Sequence, residues 1–300
     1  MSSNPTASTY SSPPLIVSNE TSEPSPTTNP AASLTGITTL RNQVYASIGS
    51  RDLLLDLYFP EDVPASVPLI IWIHGGGWQS GSKENPLPVR LGFVEKGYAV
   101  ASINYRLSGE AVFPAQIEDC KAAVRWLRAN AVKYGLDPEH FGAWGSSAGG
   151  HLAGLLGTSG GVVELEGSVG GNLEYSSRVQ AVCDYYGPAD LTRLLVTVPG
   201  LPGAAGGAVS KLLGALDQSK ARAASPLTYI SRDDPPFFIV HGDADHTVPV
   251  SQSQILYDAL RQGGVEASIK IIKGAGHGGA EFSSIDMAAQ VASFFDPHLR

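Results

Sequence analysis

The chain has 300 residues, 43% hydrophobic and 16% charged, enough to bury a core of the size that α/β folds reach in one domain. Its net charge of −8 argues against a nucleic-acid partner or an anionic membrane surface, since both call for basic patches. No apolar run approaches the ~18 residues of a membrane span.

Residues 1–35 are rich in Ser, Thr, Pro and Asn and almost free of charge. Such a segment buries too little apolar surface to order itself and is expected to be a disordered leader or linker. It has neither the basic start nor the apolar stretch of a signal peptide, so a signal removed upstream, and with it secretion or a periplasmic location, stays open. Residues 36–300 are expected to form one folded domain.

From about Leu53 onward strand and helix signals alternate. LLLDLYF (Leu53 to Phe59) reads as a half-buried strand, and LIIWIH (Leu69 to His74) and YAVASINY (Tyr98 to Tyr105) as buried ones. A helix is expected from Gln116 to Tyr134, stopped by Gly135. Further strands are expected at His140 to Gly145, Val179 to Tyr186, Phe237 to Gly242 and Ala267 to Ile272. Helices should start at Ala148 and span Gln252 to Arg261 and Ile285 to Phe295. This alternation predicts an α/β fold, a mostly parallel central sheet with helices on both faces. Residues 191–224, loose and rich in Gly and Ala, interrupt it and are expected to form a small insertion or partial lid. The two cysteines, Cys120 and Cys183, fall on a helix face and in a strand, as buried free thiols do. Neither a metal nor an organic cofactor is expected.

Parallel sheets present their ligand-binding residues just beyond the carboxyl ends of strands. At one such end stands AWGSSAGGHLAG (Ala143 to Gly154). Only Ser147 has glycine two residues before and two after it, Gly145 and Gly149; Ser146 has Trp144 and Ala148. A strand running in and a helix running out make this the setting of a nucleophile elbow, in which flanking side chains would make strand and helix collide. The helix N-terminus would point its dipole at charge forming on the serine. A serine hydroxyl needs a base, and an order of Ser, then Asp or Glu, then His leaves His246, His277 and His298. His277, in the glycine-flanked loop GAGHGG, is the preferred one. HGDADHTVP, after the strand Phe237 to Val240, offers Asp243 and Asp245 as the acid, and spacing does not separate them. HGGGW (His74 to Trp78) gives backbone donors for an oxyanion: the amides of Gly76 and Gly77, with that of Ala148. Trp78, Tyr105 and either Tyr185 or Tyr186, the latter preferred, are candidate walls for a substrate, with plain packing the alternative reading of each. Asp184 and Asp190 are read as structural.

Together, DLYFP, WIHGGGWQSGSK, FPAQIEDCKAAVRWLRANA, WGSSAGGHLA, HGDADHTVP and GAGHGG resemble the α/β-hydrolase superfamily. Within it the chain is similar to esterases of the bifunctional feruloyl and acetyl-xylan type, with hormone-sensitive-lipase-like enzymes as cousins. The resemblance covers about Thr38 to Arg300. It implies Asp245 as the acid, a Ser147–His277–Asp245 triad, and hydrolysis of short or aromatic acyl esters, among them esters of plant carbohydrates. GSSAGG and NYRLSGE depart from the cousins' GDSAGG and DYRLAPE, and the cousins' long N-terminal cap is not evident, which implies a rather open site. The same groups would also suit an amidase, such as a formamidase, or a polyester hydrolase. A binding protein on this fold would usually have lost the serine or the histidine.

Overall fold

The computed structural model describes residues 36–61, 66–195 and 204–300, together with Met1. The chain divides into two units, Met1–Thr35 and Gly36–Arg300. The expected leader lies, apart from Met1, outside the described residues.

Eight strands among the described residues form one sheet: β1 (Ile37–Ile48), β2 (Arg51–Pro60), β3 (Val67–Ile73), β4 (Ala99–Ile103), β5 (Leu136–Ser146), β6 (Ala181–Tyr185), β7 (Phe237–Gly242) and β8 (Ala267–Ile272). Their order is β1-β2-β4-β3-β5-β6-β7-β8. β2 runs antiparallel to both of its neighbours, and every other pair is parallel. The central register sets Ile71 of β3 opposite Ala101 of β4 and Ala143 of β5.

The apolar runs are continuous because both faces of the sheet are covered. Along β3, Leu69, Ile71 and Ile73 enter one core, while Ile70 and Trp72 enter the other. The first core is completed by α2 (Ala115–Ala129), α4 (Ala148–Thr158) and α8 (Ser251–Gln262), through Ile117, Cys120, Leu152 and Leu256. The second is completed by α1 (Leu87–Arg90) and α9 (Ile285–Leu299), through Val89, Val291 and Phe295. Each such fully buried aliphatic or aromatic side chain contributes about 1.5–3 kcal/mol. Both cysteines are free and buried. No helix among the described residues is long and apolar enough to cross a membrane.

The expected elements are present with shifted ends, and three features differ. The helix expected as one piece breaks at Asn130, whose side chain turns back to donate to the Trp126 carbonyl at 2.8 Å. A short α3 (Ala131–Tyr134) follows and ends at Gly135, in the left-handed conformation with φ of 65°. Strand β1 was not expected: ITTLRNQVYASI lies at the sheet's edge and keeps several residues exposed, so its apolar alternation is blurred. It is broken further by register shifts around Asn42, which has φ of 54°. The region expected as an insertion carries α5 (Leu191–Leu194), α6 (Ala204–Leu213) and α7 (Gln218–Ala223), and its residues 196–203 lie outside the described ones.

Candidate active site

The loops after β3, β5, β6, β7 and β8 meet at the carboxyl end of the sheet and line a cleft of about 440 Å³. At its centre Ser147 joins β5 to α4 with φ of 55° and ψ of −120°, a backbone conformation that costs a non-glycine residue about 1–3 kcal/mol and persists only where its surroundings force it. The neighbours that force it are visible. A Cβ on Gly145 would lie 2.1 Å from the Gly149 carbonyl oxygen, and a Cβ on Gly149 would lie 2.0 Å from that of Ile73 at the end of β3. The two glycines singled out by their spacing therefore have a steric cause. Gly150, which spacing does not mark, has one too: its Cβ would lie 2.3 Å from Oδ1 of Asp184.

His277 Nε2 lies 2.8 Å from Ser147 Oγ, and its Nδ1 lies 2.7 Å from Asp245 Oδ2. A carboxylate only accepts, so Nδ1 carries the proton and Nε2 is left to accept from the serine hydroxyl. The His277 loop turns tightly through Gly278 and Gly279, with φ of 89° and 125°. Loops after β7 and β8 are stapled together, Asp243 N donating to Ile272 O at 3.2 Å and Ala244 N to Ala275 O at 3.0 Å. The two acid candidates now separate. Asp243 turns outward, its Oδ1 accepting from Gly274 N at 2.6 Å, while Asp245 reaches the imidazole. Asp245 Oδ1 also accepts from the amides of Thr247 at 2.7 Å and Val248 at 2.9 Å. Burial works to raise the Asp245 carboxyl, but hydrogen bonds from His241, His277 and Val248 outweigh it and hold the group well below the usual carboxylate range.

The HGGGW loop runs along the same cleft. Gly76, Gly77 and Trp78 all have positive φ, of 109°, 60° and 57°. The Gly76 carbonyl closes a turn by accepting from Gln79 N and Ser80 N. Among the described residues no protein acceptor takes the amides of Gly76, Gly77 or Ala148, and all three residues line the cleft. The loop's far end is held by Lys83, buried beside Asp56 with Nζ 2.8 Å from Oδ1.

Of the expected walls, Tyr186 lines the cleft, its ring edge-on to His277 at 4.8 Å between centroids. Tyr185 is fully buried in the second core beneath it. Trp78 lines the cleft too, yet its indole is buried, and Nε1 reaches Nδ1 of His151 at 3.2 Å. Tyr105 is not brought to the cleft. It is buried, stacks on the His74 ring at 4.4 Å and donates through Oη to the His74 carbonyl at 3.0 Å, so it supports the HGGGW loop from below. Asp184 is buried and accepts from Gly187 N, and Asp190 caps α5. Sequence reasoning missed Gln79, Pro188, Ala208, Thr247 and Val248 as lining residues: Gln79, Thr247 and Val248 lie inside quoted motifs but have no chemistry of their own to mark them, and Pro188 and Ala208 lie in no motif.

This is the α/β-hydrolase fold, with the residues of its strand ends gathered around one serine. The BD-FAE family model matches residues 55–260, and the chain belongs to that family. Esterase LipQ of Mycobacterium tuberculosis is 34% identical over 253 residues, covering 82% of this chain and 57% of that protein. The chain spans about half the length of the curated relatives it matches. Among solved structures, a truncated carbohydrate esterase from gut microbiota superposes with a TM-score of 0.75 at 33% identity, covering 87% of this chain and 96% of that one. Thermogutta terrifontis esterase 2, solved with propionate bound, gives a TM-score of 0.71 at 27% identity, covering 87% and 94%.

Proposed function

We propose that the protein is a serine carboxylic ester hydrolase acting on short or aromatic acyl esters, those of carbohydrates included. The observation that carries this reading is the unbroken hydrogen-bonded series Ser147 Oγ, His277, Asp245, standing beside three amides that have no protein acceptor among the described residues. Ser147 Oγ attacks the ester carbonyl carbon while His277 Nε2 takes the hydroxyl proton. The carbonyl oxygen gains charge as its π bond opens and is stabilised by the amides of Gly76, Gly77 and Ala148 and by the N-terminus of α4. Asp245 keeps Nδ1 protonated and stabilises the imidazolium. The tetrahedral species collapses, the alcohol leaves with the proton from Nε2, and the acyl group stays on Ser147. Water, deprotonated by the same nitrogen, attacks the acyl carbon, and the acid departs as Oγ recovers its proton.

The acyl and alcohol preference is drawn from two structural neighbours. The neighbour described as a carbohydrate esterase favours a sugar alcohol, and the neighbour solved with propionate favours a short acyl chain. The test is turnover of p-nitrophenyl acetate and butyrate, of an acetylated xylo-oligosaccharide and of p-nitroacetanilide. The reading expects hydrolysis of the esters, a fall of ~10⁴-fold or more in Ser147→Ala and little change in Ser146→Ala. Faster turnover of the anilide than of the matching ester would replace it with an amidase. Activity kept in Ser147→Ala would overturn it.

A further inference from the structure

Asp245 meets two imidazoles, not one. On the cleft side Oδ2 faces His277 Nδ1 at 2.7 Å; on the core side the same oxygen faces His241 Nε2 at 3.2 Å. His241 sits in β7, fully buried, four residues before the aspartate. Its Nε2 also lies 2.9 Å from the carbonyl of Val248, and its Nδ1 lies 2.6 Å from the hydroxyl of Ser253 in α8. Two acceptors at Nε2 require that nitrogen to carry a proton, and Ser253 can complete the arrangement by donating to Nδ1. The loop from Asp245 to Val248 is thereby wrapped around one imidazole edge.

We propose that His241 is a positioning residue for the acid of the site: its second hydrogen bond to Asp245 Oδ2 fixes the carboxylate and limits how tightly it holds His277. The proposal rests on the reading of Ser147, His277 and Asp245 as a catalytic relay. A carboxylate oxygen shared between two donors carries less charge toward either one. With the His241 donor removed, the charge concentrates on the bond to His277, and the imidazolium is held more firmly. His277 then needs a higher pH to become the free base that accepts the serine proton. The other titratable groups facing His241 are Asp184 at the end of β6, close enough to interact with it electrostatically, and Tyr186, whose ring centroid is 6.3 Å away. Asp184 has its own acceptor role toward Gly187 N at 2.9 Å, and from α8 His241 meets the neutral Ser253 hydroxyl. Neither Asp184 nor Tyr186 is within hydrogen-bond reach of Asp245 among the described residues, so the loss of His241 leaves that carboxylate with His277 and two backbone amides.

The test is the pH dependence of kcat/KM for p-nitrophenyl acetate, measured on the full chain as wild type, His241→Phe, His241→Gln and Ser253→Ala. One hydrogen bond to a charged group corresponds to about one pH unit. The acid limb of His241→Phe should move to higher pH by about that much, a loss of about tenfold on the acid side. His241→Gln, which restores an N–H donor, should return the limb toward the wild-type position. An unmoved limb in a His241→Phe protein whose plateau rate and melting temperature have both fallen would show packing alone and overturn the proposal. If His241→Phe does not fold, Ser253→Ala decides: it removes the hydroxyl that donates to Nδ1 and so weakens Nε2–H as a donor while leaving the proton on Nε2, so a smaller shift in the same direction is expected, and no shift overturns it. Turnover retained in Ser147→Ala would instead defeat the relay reading itself. A Ser147-dependent enzyme with an unmoved limb contradicts only the role given to His241.

Discussion

The indole Nε1 of Trp78 donates to Nδ1 of His151 at 3.2 Å, and the other ring nitrogen of His151 lies 2.7 Å from the carbonyl of Ala224. One buried imidazole on the fourth residue of α4 thus ties the HGGGW loop to the end of α7. The tie requires a neutral ring, because Nδ1 must accept, and burial does lower the His151 pKa from its ordinary 6.5 to about 4.

The sign of the pH effect follows. A histidine that resists protonation in the folded state contributes stability above its unfolded pKa and loses it as pH falls from about 6.5 toward about 4. Asp184 has the opposite slope: burial raises it to about 6, so it costs stability increasingly as pH rises from ~4 toward 6. Chemical denaturation at pH 4.5 and pH 7 should therefore show the deficit of His151→Phe against wild type widening toward pH 7, by up to about 3 kcal/mol. Asp184→Asn should gain on wild type over the same rise. Parallel pH profiles for wild type and either variant would contradict the assignment.

Two glycines of α4 should respond in opposite directions to one methyl group. A Cβ at Gly149 would sit 2.0 Å from the Ile73 carbonyl oxygen and 2.6 Å from that of His74, both backbone atoms, so Gly149→Ala should cost about 3 kcal/mol or more and remove activity. At Gly154 the nearest atom is the Pro226 side chain at 3.6 Å, ordinary contact, and Gly154→Ala should stabilise the helix by about 0.5–1 kcal/mol. Thermal melts of the two variants check both.

How much of this was legible in the sequence depends on what each position needed. The elbow was readable because steric exclusion acts through fixed spacing: Gly145 and Gly149 are two residues either side of Ser147. The central strands were readable because two-sided burial leaves an unbroken apolar run, as in LIIWI. β1 was not, since an edge strand with one covered face and a bulge has no clean period. Asp243 and Asp245 stand two apart on one turn, and only the path of the loop decides which one meets His277. Tyr105 ends a strand where a cleft wall could stand, yet its ring turns under His74; side-chain direction beyond a strand end is set by tertiary packing. The contacts of His151 and His241 join segments far apart or wrap a loop, and no local pattern announces them.

Lys83 anchors the far end of the HGGGW loop on Asp56 of β2 and Ser102 of β4. Its Nζ lies 2.8 Å from Asp56 Oδ1 with both side chains buried, and its backbone is held by Asn104 and Ser102. Without Lys83, Asp56 keeps Arg41 at 3.2 Å and the Asn42 amide at 2.8 Å, so Lys83→Met removes one charge-assisted bond and should lower stability by about 1.5–3 kcal/mol. The loosened loop should also lower kcat for p-nitrophenyl acetate. A Lys83→Met protein as stable and as fast as wild type would show that the pair does not hold the loop.

Ala208 of α6 lines the cleft, and its Cβ would lie 3.5 Å from a Cβ on Gly77. Bulk at this position should narrow the space beside the amides of Gly76 and Gly77. Ala208→Phe should reduce kcat/KM for aromatic acyl esters by about tenfold or more, with a smaller loss on acetate, because one pocket contact discriminates by about 1–3 kcal/mol. Equal losses on both substrates would place Ala208 outside the acyl path.

The most direct measurement for the central claim is the site of covalent capture by a phosphylating agent. Wild-type protein treated with paraoxon and digested should carry one diethylphosphoryl group on Ser147 and none on Ser146, with esterase turnover lost in step. His277→Ala should label far more slowly, since the hydroxyl proton then has no acceptor 2.8 Å away. A label on another residue, or full turnover by protein stoichiometrically labelled at Ser147, would contradict the account.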